Sequence, residues 1–244
     1  VFVQVFQKHG VEVTMSEARG PMGLRKDLHI KAMTEIPEIR ERWHGIHGQY
    51  PNQEDVDRMF EDFVPMQLDC LRNYTTLLPL VAETTQSLQK QGIKIGSTTG
   101  FLRSMVDILE EDARKQGYTP DASVAGDEVI NGARPKPFMV YRNLDLMDVH
   151  PIQSVIKVDD TVSGVGEALE AGCWGVGIAR YSNYMDMDTL EEADSLSEDE
   201  IKRRLVHTRT LLQKAGAHYV IDTWEQMLDV IEDVNIRLGR GEKP

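Results

Sequence analysis

Cysteine is scarce in this chain: 2 residues of 244, Cys70 and Cys173. Two are too few for a disulfide framework, and both stand among apolar neighbours, so reduced thiols are expected. No apolar run reaches the ~20 residues that a membrane-spanning helix needs. No signal-peptide pattern is visible either, and a cytoplasmic protein is expected. Positive charge is also short. Lys and Arg number 27 against 40 Asp and Glu, a net charge of −13. That excludes, as a function class, the nonspecific grip on nucleic acid or anionic membrane that a basic surface gives. An acidic chain takes an anionic substrate only through a local basic pocket, helped by a metal. There is no internal repeat. Residues 186–200 hold eight acidic and no basic residues, which reads as a solvated loop and the start of a helix. The first residue is Val, inside a periodic pattern (Val1, Phe2, Val5, Phe6, then Lys8-His9-Gly10) that resembles the second half of a helix with its C-terminal glycine. A segment upstream of Val1 is therefore expected.

The 41% of hydrophobic residues suffices for a sizeable core. Residues 1–73 lack any strand of parallel-sheet type. Helical spacing is predicted over Met15–Arg19, Leu24–Met33, Ile36–His47 and Gln53–Leu71, the last with a stripe of Val56, Met59, Phe60, Phe63, Met66 and Leu71. This is a small all-helical domain. From residue 74 to 244 helix and strand alternate. Strands are predicted at Ile93–Gly96, Ala122–Ala125, Ser154–Val158, Trp174–Ile178 and His218–Ile221. The intervening helices are Leu77–Gln91, Leu102–Gln116, Pro137–Leu146, Val162–Gly172, Ser197–Ala215 and Thr223–Leu238. Repeated strand–helix units predict a doubly wound parallel sheet.

Chemistry in such a sheet collects at the carboxyl ends of the strands. Asp159 and Asp160 end one strand, and carboxylates there suit Mg²⁺, which takes one or two carboxylates, waters and a phosphate. The plainer reading is that one Asp caps the next helix and the other is solvated. Ser97-Thr98-Thr99-Gly100 stands between a strand and a helix, where hydroxyls and backbone N–H groups cradle phosphate; alone, this run reads more simply as helix capping. Arg134, between prolines in Gly132-Ala-Arg-Pro-Lys-Pro137, can grip phosphate with its planar fork, or be part of a rigid turn with exposed charges. Their order along the chain describes a metal-assisted phosphoryl-transfer site. In the helical domain, Met22, Lys26, His29, Ile30 and Met33 would share a helix face. A lysine among methionines is partly desolvated, and a neutral amine forms a Schiff base with an aldehyde; His29, one turn on, is a candidate proton shuttle. From pattern alone, a snorkelling lysine and a polar core histidine account for the same residues.

The runs Ile95-Gly-Ser-Thr-Thr-Gly100, Gly132-Ala-Arg-Pro135 and Lys157-Val-Asp-Asp-Thr161 resemble the haloacid dehalogenase superfamily. Ala18-Arg-Gly-Pro-Met-Gly-Leu-Arg-Lys26 with His29, and Gly216-Ala-His-Tyr-Val-Ile-Asp222, are similar to its phosphonoacetaldehyde hydrolase (phosphonatase) family, over essentially the whole chain. The resemblance implies an α/β core (74–244) under a helical cap (1–73), Mg²⁺ as cofactor and a homodimer. Lys26 would form an imine with phosphonoacetaldehyde, whose carbon–phosphorus bond then breaks to give acetaldehyde and phosphate through an aspartyl-phosphate. Thr99, Gly100 and Arg134 would hold the phosphoryl oxygens. Asp160 would bind the metal with Asp159 in support, and Met22 and His29 would shape the lysine's surroundings. The sequence departs from the family at two points. The family's Asp-Trp-Ala-Gly-Thr-type strand, which carries the nucleophile, is expected roughly 20 to 30 residues before Val1, as for a core strand preceding an inserted cap. Phe101 also stands where some relatives carry an aromatic hydroxyl. The alternatives are a phosphomonoesterase or sugar phosphomutase of the same superfamily, which would not need Lys26, and a fragment that is inactive and only binds.

Overall fold

A computed structural model describes all residues, 1–244. The first 71 residues form five helices: α1 (Phe2–Lys8), α2 (Met15–Arg19), α3 (Lys26–Glu35), α4 (Pro37–His47) and α5 (Gln53–Leu71). Their ends follow local chemistry. Gly10 takes φ +77° after α1. Capping boxes open α2 (Thr14 with Glu17) and α5 (Asn52 with Asp55), each satisfying two N–H groups that helix geometry leaves unpaired. Pro37 supplies a first-turn residue of α4 that needs no donor. Val5, Phe6, Ile30, Met33, Ile39, Trp43, Met59 and Phe63 are buried in one cluster between these helices.

The α/β part follows as α6 (Val81–Lys90), β1 (Gly96–Thr99), α7 (Arg103–Lys115), β2 (Ala122–Ala125), α8 (Phe138–Met147), β3 (Ile156–Asp159), α9 (Val162–Ala171), β4 (Trp174–Ile178), α10 (Leu190–Ser195), α11 (Glu198–Lys214), β5 (Tyr219–Ile221) and α12 (Met227–Gly239). All pairings are parallel. The strands form two sheets, β1-β2 and β3-β4-β5, with no ladder between β1 and β3. Helices span the division: α8 packs on β1 and β2, α9 on β3 and β4, and α8 against α9.

Several expected boundaries move. The strand expected at Ile93–Gly96 begins at Gly96, because the ladder to β2 starts with Gly96 opposite Ala122. Residues 77–80 are not helical, and Leu80 sits at φ +67°. The acidic run 186–200 contains α10, capped by Thr189 and anchored by the buried Ala193. Met22 does not join the face of Lys26: α3 starts at Lys26, and Met22 lies in the preceding turn. Neither Asp159 nor Asp160 caps α9. Thr161 does so, its hydroxyl accepting from Gly164 N at 3.0 Å. Both cysteines are free, Cys173 buried and Cys70 half-buried. No helix is long and apolar enough to cross a membrane.

Candidate active site

The ends of β1 and β3 carry a buried ionic cluster. Arg134, from the loop before α8, donates from Nε to Glu167 at 2.9 Å and from Nη2 to the Thr98 carbonyl and hydroxyl, both at 2.9 Å; Nη2 also stands 3.0 Å from Asp159. Lys157 donates to Asp159 at 2.9 Å and lies 3.3 Å from Glu167. Two cations and two carboxylates thus neutralise one another out of water, the condition under which a buried charge is tolerated. Glu167 has no exposed surface, and its Oε1 finds no partner. The fork of Arg134, expected to be open to phosphate, is turned inward through Nε and Nη2; Nη1 is the nitrogen without a partner in the chain.

Asp159 is spent inside this cluster. Its Oδ1 accepts from the Thr161 N–H (3.0 Å) and hydroxyl (2.7 Å), its Oδ2 from Lys157 and Arg134. Burial pushes its carboxyl up, but these donors and cations outweigh it and hold it well below the usual carboxylate range. Gly164 is required by this arrangement, since a Cβ there would fall 1.9 Å from the Asp159 carboxyl carbon. Asp160 is placed differently. Its Oδ2 accepts from Asn183 N at 3.1 Å and its carbonyl from Ser182 Oγ at 2.7 Å. Burial, and then the charge of Asp159, push its carboxyl up to about 6. It is the surplus negative charge beside a cluster already neutral, with Oδ1 free of protein partners, so a divalent cation fits here. No group of three or more His, Cys, Asp or Glu forms a ready-made metal cage. The chain offers one free carboxylate with a second behind it, a donor set that suits Mg²⁺ completed by water and substrate oxygens.

Thr99 Oγ1 accepts from Phe101 N at 3.2 Å. The start of α7 is served by Asp127, which accepts from Arg103 N at 2.9 Å, so the Ser-Thr-Thr hydroxyls are not its caps. Next to them the helical domain closes on the sheet. A Cβ on Gly100 would lie 2.3 Å from the Leu24 carbonyl, and one on Gly23 (φ +92°) 2.2 Å from Ser163 Oγ. Ser163 Oγ donates to the Met22 carbonyl at 3.1 Å. The turn 21–25 therefore bridges the β1 and β3 edges, and its backbone is what Met22 contributes.

At the end of that turn stands Lys26, 6% exposed, its Nζ 4.3 Å from the centre of the Phe101 ring and 5.7 Å from that of Phe2. Burial, then the nearby Arg134 charge, lower the amine to about 8. It does not point to bulk solvent. His29 is fully buried, stacked on Phe2 at 3.7 Å, and within 2.8 Å of the Ala18 carbonyl through Nε2. A carbonyl only accepts, so Nε2 carries the hydrogen and Nδ1, which has no partner, is bare. Burial and Lys26 hold this imidazole down at about 3. It is neutral at working pH, and a proton relay through it has only Nδ1 to use.

Sequence reading passed over Glu167 and Asn183, and named Thr98 and Lys157 only within their motif runs, with no role of their own. Glu167 carried a signal: a charged residue on the face that buries Val165, Ala168 and Ala171.

No family model matches the chain. Among curated proteins, it is 41% identical to the phosphonoacetaldehyde hydrolase of Bacillus cereus strain G9842, over 96% of the chain and 88% of that protein. It is 40% identical to a bifunctional phosphonoacetaldehyde hydrolase/aminoethylphosphonate transaminase of Clostridioides difficile, over 95% of the chain but 36% of that longer protein. The crystal structure of a phosphonoacetaldehyde hydrolase-like protein from Oleispira antarctica superposes with a TM-score of 0.95 at 40% identity, covering 100% of this chain and 87% of that one. A haloacid dehalogenase-like hydrolase from Bacteroides fragilis shares the fold at 17% identity, with a TM-score of 0.61 over 93% of this chain and 89% of its own. The fold is thus a haloacid dehalogenase-like α/β core with a helical cap, and by identity and coverage the chain belongs to the phosphonoacetaldehyde hydrolase family of hydrolases.

Proposed function

We propose that this chain hydrolyses the carbon–phosphorus bond of phosphonoacetaldehyde, with Lys26 as the covalent catalyst. The observation that carries the reading is a buried amine without a carboxylate partner, lowered to about 8, beside the Phe101 ring and near Arg134. At neutral pH about a tenth of such an amine is unprotonated. That fraction attacks the aldehyde carbon; water leaves and a protonated imine remains. The imine nitrogen then takes up the electron pair of the carbon–phosphorus bond, giving an enamine, while the phosphoryl group passes to an aspartate. In this reading that aspartate is the one expected before Val1, on a strand between β1 and β3, which no strand of residues 1–244 joins. Protonation of the enamine carbon and hydrolysis release acetaldehyde and free Lys26; a second water releases phosphate from the aspartate.

Residues 1–73 act as the cap in this proposal and 74–244 as the core. The cap turn 21–25 excludes water from the imine. Thr99, the backbone of Gly100 and the free Nη1 of Arg134 hold phosphoryl oxygens. Asp160 would hold Mg²⁺, with Asp159 fixing its loop from behind; the bound ion supplies positive charge against the phosphonate. The homodimer and the cytoplasmic location belong to the same proposal.

The test is borohydride reduction in the presence of phosphonoacetaldehyde. The Lys26 peptide should gain the reduced adduct, and Lys26→Ala should lose both adduct and acetaldehyde release. Unchanged turnover in Lys26→Ala would instead favour a phosphomonoesterase or phosphomutase on this fold. Asp160→Ala should lose Mg²⁺-dependent release while still forming the adduct; if the adduct also vanished, Asp160 would be a structural residue.

A further inference from the structure

Lys26 Nζ forms no hydrogen bond and no ion pair within the chain, although the residue is only 6% exposed. The ionisable groups bearing on it repel its charge or are neutral. Arg134 comes from the loop before α8, and His29 stands one turn along α3. Arg25 and Asp27, its sequence neighbours, are tied to each other through two hydrogen bonds of 2.7 Å. What α1 and α5 bring to this side of α3 is Phe2 and Phe63, stacked with ring centres 4.6 Å apart. The electron-rich surfaces within reach of Nζ are ring faces, and the nearest is Phe101 at 4.3 Å, inside the ~6 Å range of a cation–π attraction.

We infer that the face of Phe101 is the counter-charge of the Lys26 nitrogen: it holds that nitrogen at the phosphate edge and stabilises its positive charge, first as ammonium and then as the protonated imine. Phe101 follows Gly100 directly, so the ring that steadies the amine is anchored to the loop after β1, while the amine itself is carried on α3. It is a positioning residue acting through Lys26. A phenyl ring has no hydroxyl to accept or donate, so its influence on Nζ is electrostatic and packing alone. The two can be separated by fluorination, which drains negative charge from the ring face at nearly constant shape. The ammonium half of the inference stands on geometry; the imine half rests on the reaction proposed above.

The experiment replaces Phe101, in the full chain, with mono-, tri- and pentafluorophenylalanine, with near-ultraviolet circular dichroism as the check on packing. The Lys26 ¹⁵Nζ titration is read by NMR, and borohydride trapping with acetaldehyde as probe is read by peptide mass. The titration midpoint should fall stepwise with fluorination, by about half a unit to one unit across the series, the shift that an attraction of cation–π size produces. Trapping above the midpoint should fall in the same order, by about 3-fold or more. A midpoint unmoved across the series, with packing intact, overturns the inference. Failure of the unmodified chain to trap acetaldehyde or phosphonoacetaldehyde at any pH, while the midpoint still shifts, overturns the reaction reading and the imine half with it, and leaves the ammonium half supported.

Discussion

Replacing Lys26 with methionine should stabilise the protein while abolishing its activity. The amine titrates near 8 in the folded chain and near the ordinary 10.5 when unfolded. Below 8 both states are protonated and burial of the ammonium costs its full amount. Between 8 and 10.5 the unfolded chain binds the extra proton, so stability rises with pH, and above 10.5 the cost is gone. The interval corresponds to about 3 kcal/mol as an upper bound. Lys26→Met removes that cost at pH 7, and urea titrations across pH should lose their upward slope between 8 and 10.5. For the same reason turnover of the wild type should rise with pH toward 8 as the free amine grows. Gly164→Ala makes the opposite point. Its methyl would overlap the Asp159 carboxylate at 1.9 to 2.1 Å, and Asp159 cannot yield without releasing Arg134 and Lys157. A loss of about 3 kcal/mol is expected, the size seen when a buried ion-pair network is broken, measured by denaturant midpoint.

Among the elements, the cap turn 21–25 does the work of bringing the two halves together, and it does so through two glycines. Gly23 holds a left-handed φ with Ser163 and Thr161 against it, and Gly100 admits the Leu24 carbonyl. Gly23→Ala strains the closed arrangement by about 1–3 kcal/mol. The strain falls on the turn that meets the site, so the expected signature is kinetic: kcat/KM falls about tenfold or more, while the urea midpoint moves little. Equal losses in both would mean that the contact is part of the global fold. The elements themselves were unevenly legible. The apolar stripe of α5, and the short strand runs of β2 and β4 between turn residues, place those three at their observed bounds. The start of β1 was not legible, because Ile93-Lys-Ile95 has β propensity and only the partner strand decides that the ladder begins at Gly96. Nor was α10, whose acidic composition hides one buried alanine. At the site, strand ends and their order in the chain pointed to Thr99, Arg134, Asp159 and Asp160. That Arg134 faces Glu167 rather than solvent was beyond reach, since a charged side chain's partner is chosen by tertiary packing.

For the molecule as a whole, the question is whether cap and core unfold as one body. Sequence texture divides the chain near residue 73, helices before it and alternation after, yet the apolar cluster of the helical part does not stop there. Met105 of α7 is fully buried in it, and Phe101, Leu102, Ile108 and Leu109 pack against it. The cap is therefore seated on α7 by the same kind of burial that holds its own helices together, and Lys26 sits at that seam beside Phe101. Met105→Ala leaves a cavity at this junction and should cost about 2–5 kcal/mol. Three tryptophans report on the two sides: Trp43 inside the helical cluster, Trp174 and Trp224 in the α/β part. With the tryptophans 5-fluorinated in the otherwise unchanged chain, the ¹⁹F signals of Trp43 and of Trp174 and Trp224 should report urea transitions that coincide, as for a single cooperative unit. In Met105→Ala both should move together to lower urea. If the Trp43 transition alone shifts, the cap is an independent unit resting on the core, and the closure that would shelter the proposed imine is a docking equilibrium rather than a property of the fold.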